Sequence, residues 1–143
     1  MNVIQAKIKF LKVLKGALFA AFEKVLKDNK EQIIDFNLSQ LYDDGQDGNG
    51  QMVKPYYTSF TVMIKSYKGQ RTDHVTLKDT GEFYRSFNIR FSSSSFELFA
   101  TDGLTDDLVA KYGKNIFGLN ENSLKDLQEL ILDYLDLKSL FHD

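Results

Sequence analysis

The chain has 143 residues, of which 43% are hydrophobic and 13% aromatic, enough for one domain with its own core and too apolar for a disordered segment. The absence of cysteine excludes disulfides, zinc–thiolate sites and thiol catalysis. The net charge of −2 is unevenly spread: up to Lys30 seven lysines stand against Glu23 and Asp28, and from Glu121 onward six acidic residues stand against Lys125 and Lys138. A basic front and an acidic tail attract each other or complementary neighbours.

No apolar run approaches the roughly 20 residues that span a bilayer. Lysines interrupt the opening stretch MNVIQAKIKFLKVLKGALFAAF every few residues, so it reads as structure rather than as a secretory leader, and the expected compartment is intracellular. Residues 3–27 predict one amphipathic helix. Ile4, Ile8, Leu11, Leu18, Phe22 and Val25 recur at three- and four-residue steps, with Leu14, Phe19 and Leu26 beside them. At about 1.5 Å per residue such a helix is close to 40 Å long, more than a small domain needs to cover itself. Three roles are open to it: packing on its own core, projecting onto a neighbouring subunit, or lying on a membrane surface with its lysine-rich face outward.

In IIDFNL (33–38), Ile34, Phe36 and Leu38 alternate with Asp35 and Asn37, which predicts a strand. LYDDGQDGNGQ (41–51) reads as a turn. After Pro55, YYTSFTVMIKSYKGQ predicts a short helix whose Val62 and Met63 cover the sheet, HVTL a short strand, and DTGEFYRSF a change of direction. SFNIRF and SFELFAT predict two strands joined by a serine-rich hairpin. TDDLVAKYG predicts a helix closed by Gly113. The last helix is expected to begin near Ser123, capped by Asn122 or Ser123, with Leu124, Leu127, Ile131 and Tyr134 on one face. The expected fold is α+β: a small, mostly antiparallel sheet flanked by the long N-terminal helix and a C-terminal helix, in a single domain over 1–143.

Four constellations are candidates for chemistry. A calcium loop starting at Asp43 would place Gly45 at position 3, Asp47 at position 5, Gly48 at position 6 and Lys54 where the closing glutamate belongs. Three carboxylates also disfavour an anion cradle, so Asp-Gly and Asn-Gly are read as turn formers and no metal site is expected. The triplet Asp79-Thr80-Gly81 carries the catalytic carboxylate in aspartic proteases, where two copies share one proton. A single copy here needs a dimer, and the flanking Lys78 and Glu82-Phe83-Tyr84 work against a shared proton; the other reading is a turn in which Asp79 caps a short helix. His74 and His142 have no cysteine or spaced carboxylate pattern around them, and both are expected at the surface. Lys65, Lys68, Arg71, Arg85 and Arg90, interleaved with Tyr56, Tyr57, Tyr67 and Phe83, could follow a nucleic-acid backbone; in a slightly acidic chain they read better as a solvated face over core tyrosines.

The order of four stretches adds to this: LYDDGQDGNGQ, PYYTSFTVMIKSYKGQ, VTLKDTGEFYRSF and IFGLNENSLKDLQELILDYL. Over residues 33–135 this order resembles the phage virion morphogenesis (tail-completion) family. Gly48 and Gly50 match its turn; Ser59, Thr61 and Lys65 its second stretch; Leu77, Asp79, Thr80, Gly81, Phe83 and Ser86 its third; and Phe117, Gly118 and Leu119 its fourth. Lys114-Asn115 stand where that family often has arginine and proline, and the tryptophan common in its first loop is missing. The resemblance implies a structural virion protein of a tailed phage or prophage, without catalysis or cofactor. Such a protein completes the tail or joins head to tail as part of a cyclic homo-oligomer, beside other connector or tail proteins. It implies no membrane and no sequence-specific nucleic acid as partner, and a location in the virion, with host cytoplasm during assembly. The alternative is a dimeric aspartic-protease-like enzyme using Asp79. Lys7, Phe10, Leu14 and Phe19 on the first helix are the expected subunit contact.

Overall fold

The computed structural model describes residues 2–92 and 95–135, except for the side chains of Leu14, Lys15, Ala17 and Leu18. Leu14 of the expected subunit contact, Leu18 of the predicted apolar face, the middle of the serine hairpin, Asp136, Lys138 and His142 therefore lie outside what is described.

Helix α1 (Val3–Asp28) opens with a reciprocal cap. The Asn2 side chain accepts the Gln5 amide N–H at 2.8 Å and the Gln5 side chain accepts the Asn2 N–H at 3.1 Å. It closes at Asn29, whose side-chain amide donates to the Val25 carbonyl at 2.8 Å, so one of the last four free carbonyls is satisfied. Helix α2 (Lys30–Ser39) follows at once.

The strand expected at 33–38 is thus a helix. Its buried positions are Ile33, Ile34 and Asn37, continuing to Gln40 and Leu41, while Asp35 and Ser39 face solvent. That is the i, i+1, i+4, i+7, i+8 pattern of a helical face. Six residues are too few to separate period 2 from period 3.6, and Phe36 and Leu38 sit half-buried on the flanks of the stripe. The chain widens into a π-turn at Gln40–Asp44 and stops at Gly45, in the left-handed region with φ 64°. A Cβ at Gly45 would lie 2.5 Å from Cγ of His74, so both the backbone and the neighbour require glycine.

Helix α3 (Ser59–Tyr67) forms where expected, with the Thr58 hydroxyl accepting the Thr61 N–H at 3.2 Å as its cap. It does not cover a sheet. None of its residues is buried, and Phe60, Met63, Ile64 and Tyr67 are 67%, 61%, 38% and 93% exposed along one face. The HVTL strand is also absent: residues 74–77 are irregular and belong to no strand, and Leu77 has a φ of 58°. Helix α4 (Glu82–Arg85) is a single turn. The two expected strands are present as β1 (Phe87–Phe91) and β2 (Phe96–Ala100), antiparallel, with Phe87 opposite Ala100 and Phe91 opposite Phe96. Phe87, Ile89 and Leu98 point into the core and Asn88, Arg90 and Glu97 out of it. Helix α5 (Thr105–Tyr112) ends at Gly113, as expected. A 3₁₀ turn (Lys114–Ile116) leads to α6 (Glu121–Tyr134), capped by Asn120 rather than by Asn122 or Ser123.

The fold is α+β, and its sheet is the β1–β2 hairpin. The hairpin packs against α2, and α6 packs against α2 and α1. The expectation that the N-terminal helix flanks the sheet is therefore corrected: among the described side chains of α1 only Val25 is buried. The core joins Ile33, Leu41, Val53, Val75, Ile89 and Ile116 with the residues around them.

The helical register of α2 gives the first prediction. Ile33→Ala, which empties a position with 0% exposure, is expected to cost about 2–5 kcal/mol in urea unfolding. Asp35→Ala, on the solvent face, should stay within about 0.5 kcal/mol. Equal costs at the two positions would contradict this register.

Candidate functional site

The residues of the four ordered stretches fall into two bonded clusters joined by an aromatic bridge. The first begins with two buried amides, Asn37 on α2 and Gln40 at the start of the π-turn that follows it. The Asn37 side chain donates to the Ile116 carbonyl at 3.0 Å and accepts the Gly118 N–H at 2.8 Å. One turn on, the Gln40 side chain donates to the Gly118 carbonyl at 3.0 Å, and its oxygen accepts both the Asn120 N–H at 2.8 Å and the Ser123 hydroxyl at 2.9 Å. Asn37 and Gln40 are 0% and 2% exposed, so these bonds replace water that cannot reach them.

The same segment receives the turn at 46–52. Asp47 closes that turn on itself: its carboxylate accepts the Asn49 and Gln51 N–H groups at 2.9 and 3.0 Å, and its carbonyl accepts the Gly50 N–H at 3.0 Å. Gly50 has φ 76°. Gly48 donates its N–H to the Asn115 carbonyl at 2.7 Å and lies face to face with Gly118. A Cβ on Gly48 would come within 3.1 Å of the Gly118 backbone, so the close approach needs glycine at 48, whereas Gly118 is required by its own φ of 139°. The carboxylate of Asp47 is thus bonded to its own turn. Among the described residues no three His, Asp or Glu side chains converge on a metal-sized site.

The second cluster holds Asp79, Thr80 and Gly81. Gly81 has φ 88° and stands at the N-cap of α4, so glycine, not Asp79, occupies the capping position foreseen for the aspartate. Asp79 instead accepts the Gln70 side-chain amide at 2.9 Å and the Lys68 ammonium at 3.1 Å. The Gln70 bond, then Lys68, holds its carboxyl below the ordinary carboxylate range. An ionised, cation-paired carboxylate is the opposite of one placed to share a proton. Lys65 donates to the Lys78 carbonyl at 3.1 Å and to Gln70 at 3.2 Å, tying α3 to the triplet. Thr80 accepts the Glu82 N–H at 3.3 Å. Ser86 donates to the Phe83 carbonyl at 2.8 Å and accepts the Asp102 N–H at 3.0 Å, joining α4 to the chain leaving β2.

Just before the triplet, Leu77 sits at positive φ, a strained conformation for a bulky side chain. Two tyrosines hold the approach to it. Tyr57 accepts the Thr76 N–H at 2.8 Å, and Tyr84 donates to the Thr76 carbonyl. Burial pushes the Tyr84 phenol up, so it remains a donor at every physiological pH. A cleft of about 280 Å³ opens beside these residues, walled by Tyr57, Leu77, Phe83, Leu108 and Tyr112. Lys65 and Asp79 on its rim are already bonded to the protein, so the cleft offers mainly apolar contact.

The aromatic bridge is Phe83 of the third stretch against Phe117 of the fourth, ring centroids 6.1 Å apart, with Phe87 at 5.1 Å from Phe83 and 5.2 Å from Phe117. Of the expected contact residues on α1, Lys7 is exposed, Phe10 is 65% exposed and Phe19 49%.

Two sequence readings need correction here. His74 is buried, 6% exposed, with Nε2 2.6 Å from the Tyr42 carbonyl and Nδ1 3.2 Å from the Asp73 carboxylate, and its ring lies against Gly45. The basic residues do not form one stripe. Lys68 pairs with Asp79, Arg71 with Asp73 and Arg90 with Glu97, and Arg85 donates to the Thr80 carbonyl. Nor are the tyrosines beside them uniformly in the core, for Tyr67 is 93% exposed. The sequence reading missed Asn37, Gln40 and Asn120. A helical period through Ile33 and Ile34 places Asn37 and Gln40 on the buried face and was the signal that could have found them.

No protein-family model matches the chain, and no curated protein and no solved structure matches it significantly.

Two predictions follow from these clusters. Gln40→Ala orphans the Gly118 carbonyl, the Asn120 N–H and the Ser123 hydroxyl together. At about 1–3 kcal/mol per buried unpaired group, it should lower unfolding stability by several kcal/mol, well beyond the cost of an exposed Gln→Ala change; a loss under about 1 kcal/mol in urea would contradict the bonding described. Asp79→Asn should keep the fold, because Gln70 can still bond the side-chain oxygen. The depressed carboxyl stabilises the native state above its unfolded value, ordinarily 3.8, and that stability is lost as pH falls through the lower folded value. The variant should therefore flatten the stability–pH slope below about pH 4, modestly, because the side chain is 59% exposed and screened.

Proposed function

We propose that this chain is a structural virion protein of a tailed phage or prophage, completing the tail or joining head to tail as one subunit of an oligomeric ring. The observation that carries this is a pair of exposed apolar helical faces. On α1, Ile4, Ile8, Phe10 and Leu11 are between 49% and 70% exposed. On α3, Phe60, Met63, Ile64 and Tyr67 stand at i, i+3, i+4 and i+7, the spacing of one face. Contiguous apolar faces of this kind belong to interfaces. The resemblance in the order of the four stretches supports the same reading, and the residues that carry it act as locks: Gly48 against Gly118, Thr80 and Ser86 on neighbouring main chain, and Asp79 on the Gln70 and Lys68 side chains. Such locks fix the shape of a subunit that must repeat identically around a ring.

In this reading the partners are other copies of the chain and the adjoining head–tail connector or tail proteins, and its place is the virion, reached from the host cytoplasm. Among the described residues no helix is long and apolar enough to cross a membrane. Deleting residues 1–20 should abolish incorporation into particles without unfolding the remainder, whose core does not include them. Replacing Lys7, Lys9 and Lys12 by glutamate should mainly slow assembly and change its salt dependence. Normal particle levels with the truncated chain would overturn the assignment of the contact to α1.

A further inference from the structure

Two apolar surfaces on this chain lie too far apart to meet within one copy. The first is the tip of α1, where Val3, Ala6, Phe10 and Leu11 form an open apolar patch. The second is a groove of about 440 Å³ where the other end of α1 meets α6, lined by Phe22, Leu124, Leu127, Ile131, Leu132 and Leu135. Tyr134 at the end of α6 donates to the Asp28 carboxylate at the end of α1, which pins the two helices there. Val3 to Leu11 lie roughly 25–37 Å up α1 from that pin, at 1.5 Å per residue, whereas the 14 residues of α6 span only about 21 Å. The backbone of α6 therefore ends short of the tip of its own α1.

Charge says what covers the tip. Residues 2–22 carry Lys7, Lys9, Lys12 and Lys15 and no acidic residue, while α6 carries Glu121, Asp126, Glu129 and Asp133 against Lys125. Pairing two α1 tips would set lysine against lysine; pairing a tip with α6 sets opposite charges around an apolar centre, the arrangement of a specific interface. We infer that the apolar tip of α1 docks in the α1–α6 groove of a second copy, head to tail. This deepens the ring reading and rests on it for the repetition of the contact. A head-to-tail contact uses two different surfaces on each copy, so it propagates and closes into a ring when the rotation per subunit allows.

The absence of cysteine makes the test clean. Phe10→Cys and Leu124→Cys, at positions 65% and 50% exposed and so tolerant of change, are made in separate full-length chains, checked for native circular dichroism, mixed and mildly oxidised. A mixed disulfide dimer is expected, far above the yield from Gly103→Cys with Leu124→Cys, and it should fall when Lys7, Lys9 and Lys12 are glutamate. Phe10→Cys alone should cross-link poorly. No mixed dimer above the Gly103 control overturns the inference, as does a dominant Phe10–Phe10 disulfide, which means α1 pairs with α1. A mixed dimer that forms only after residues 136–143 are deleted also overturns it, since the groove then belongs to the chain's own C-terminal segment. The virion reading is judged separately by particle incorporation: cross-linking without incorporation leaves the docking standing and removes the virion role, and incorporation without cross-linking does the reverse.

Discussion

Residues 117–120 join the 3₁₀ turn to α6 as neither helix nor strand, so their backbone groups have no ladder to complete. Two side chains, Asn37 from α2 and Gln40 from the π-turn that follows it, bond this segment and its entrance instead. Asn37 and Gln40, one helical turn apart, give the amides and carbonyls of Ile116, Gly118 and Asn120 the partners that regular structure would have supplied. A buried amide that bonds backbone is intolerant of substitution, because each bond it loses leaves a polar group dry. Much else depends on this arrangement. Asn120 is held in place to cap α6, Ser123 in the first turn of that helix bonds the same Gln40, and Gly118 is held where Gly48 can lie against it. One face of α2 and its π-turn thus positions the turn at 46–52, the segment before α6 and the first turn of α6.

The second cluster reaches the first through rings rather than hydrogen bonds. Phe83, Phe87 and Phe117 bring the turn after Asp79, the first strand and the segment before α6 into one contact. The division of labour is physical: polar side chains fix the backbone where it is irregular, and aromatic side chains fix the distance between the two irregular regions. Leu77 at positive φ is the strain this scheme carries, and Tyr57 and Tyr84 hold Thr76 beside it from two sides.

What the sequence made legible was decided by period and by punctuation. The first hairpin strand was readable because Phe87, Ile89 and Phe91 alternate with Asn88 and Arg90 over its full five residues, and α5 because Gly113 stops it. The 33–38 segment was misread because a six-residue window cannot tell a helical stripe from an alternation, and the error carried Asn37 to the solvent side and hid the central amide. His74 was misplaced for a different reason. Nothing local marks a histidine as buried; its partner carbonyl is Tyr42, 32 positions away, and long-range pairing leaves no trace in a single sequence. The order of the four stretches, by contrast, was visible, and the fold brings them into contact: Gly48 lies against Gly118, Lys65 and Gln70 bond the chain at Lys78 and Asp79, and Phe83 packs on Phe117.

The groups on this molecule that could do chemistry are bonded inward. Asp47 holds its own turn, Asp79 is paired with Lys68 and Gln70, His74 lies between a carbonyl and a carboxylate, and Ser86 joins two pieces of main chain. Apolar side chains on α1 and α3 show the reverse: Ile4, Phe10, Phe60 and Tyr67 are exposed. In the function proposed above, these faces are where further subunits attach, and the basic half of α1 and the acidic α6 make other copies of the chain the nearest of them.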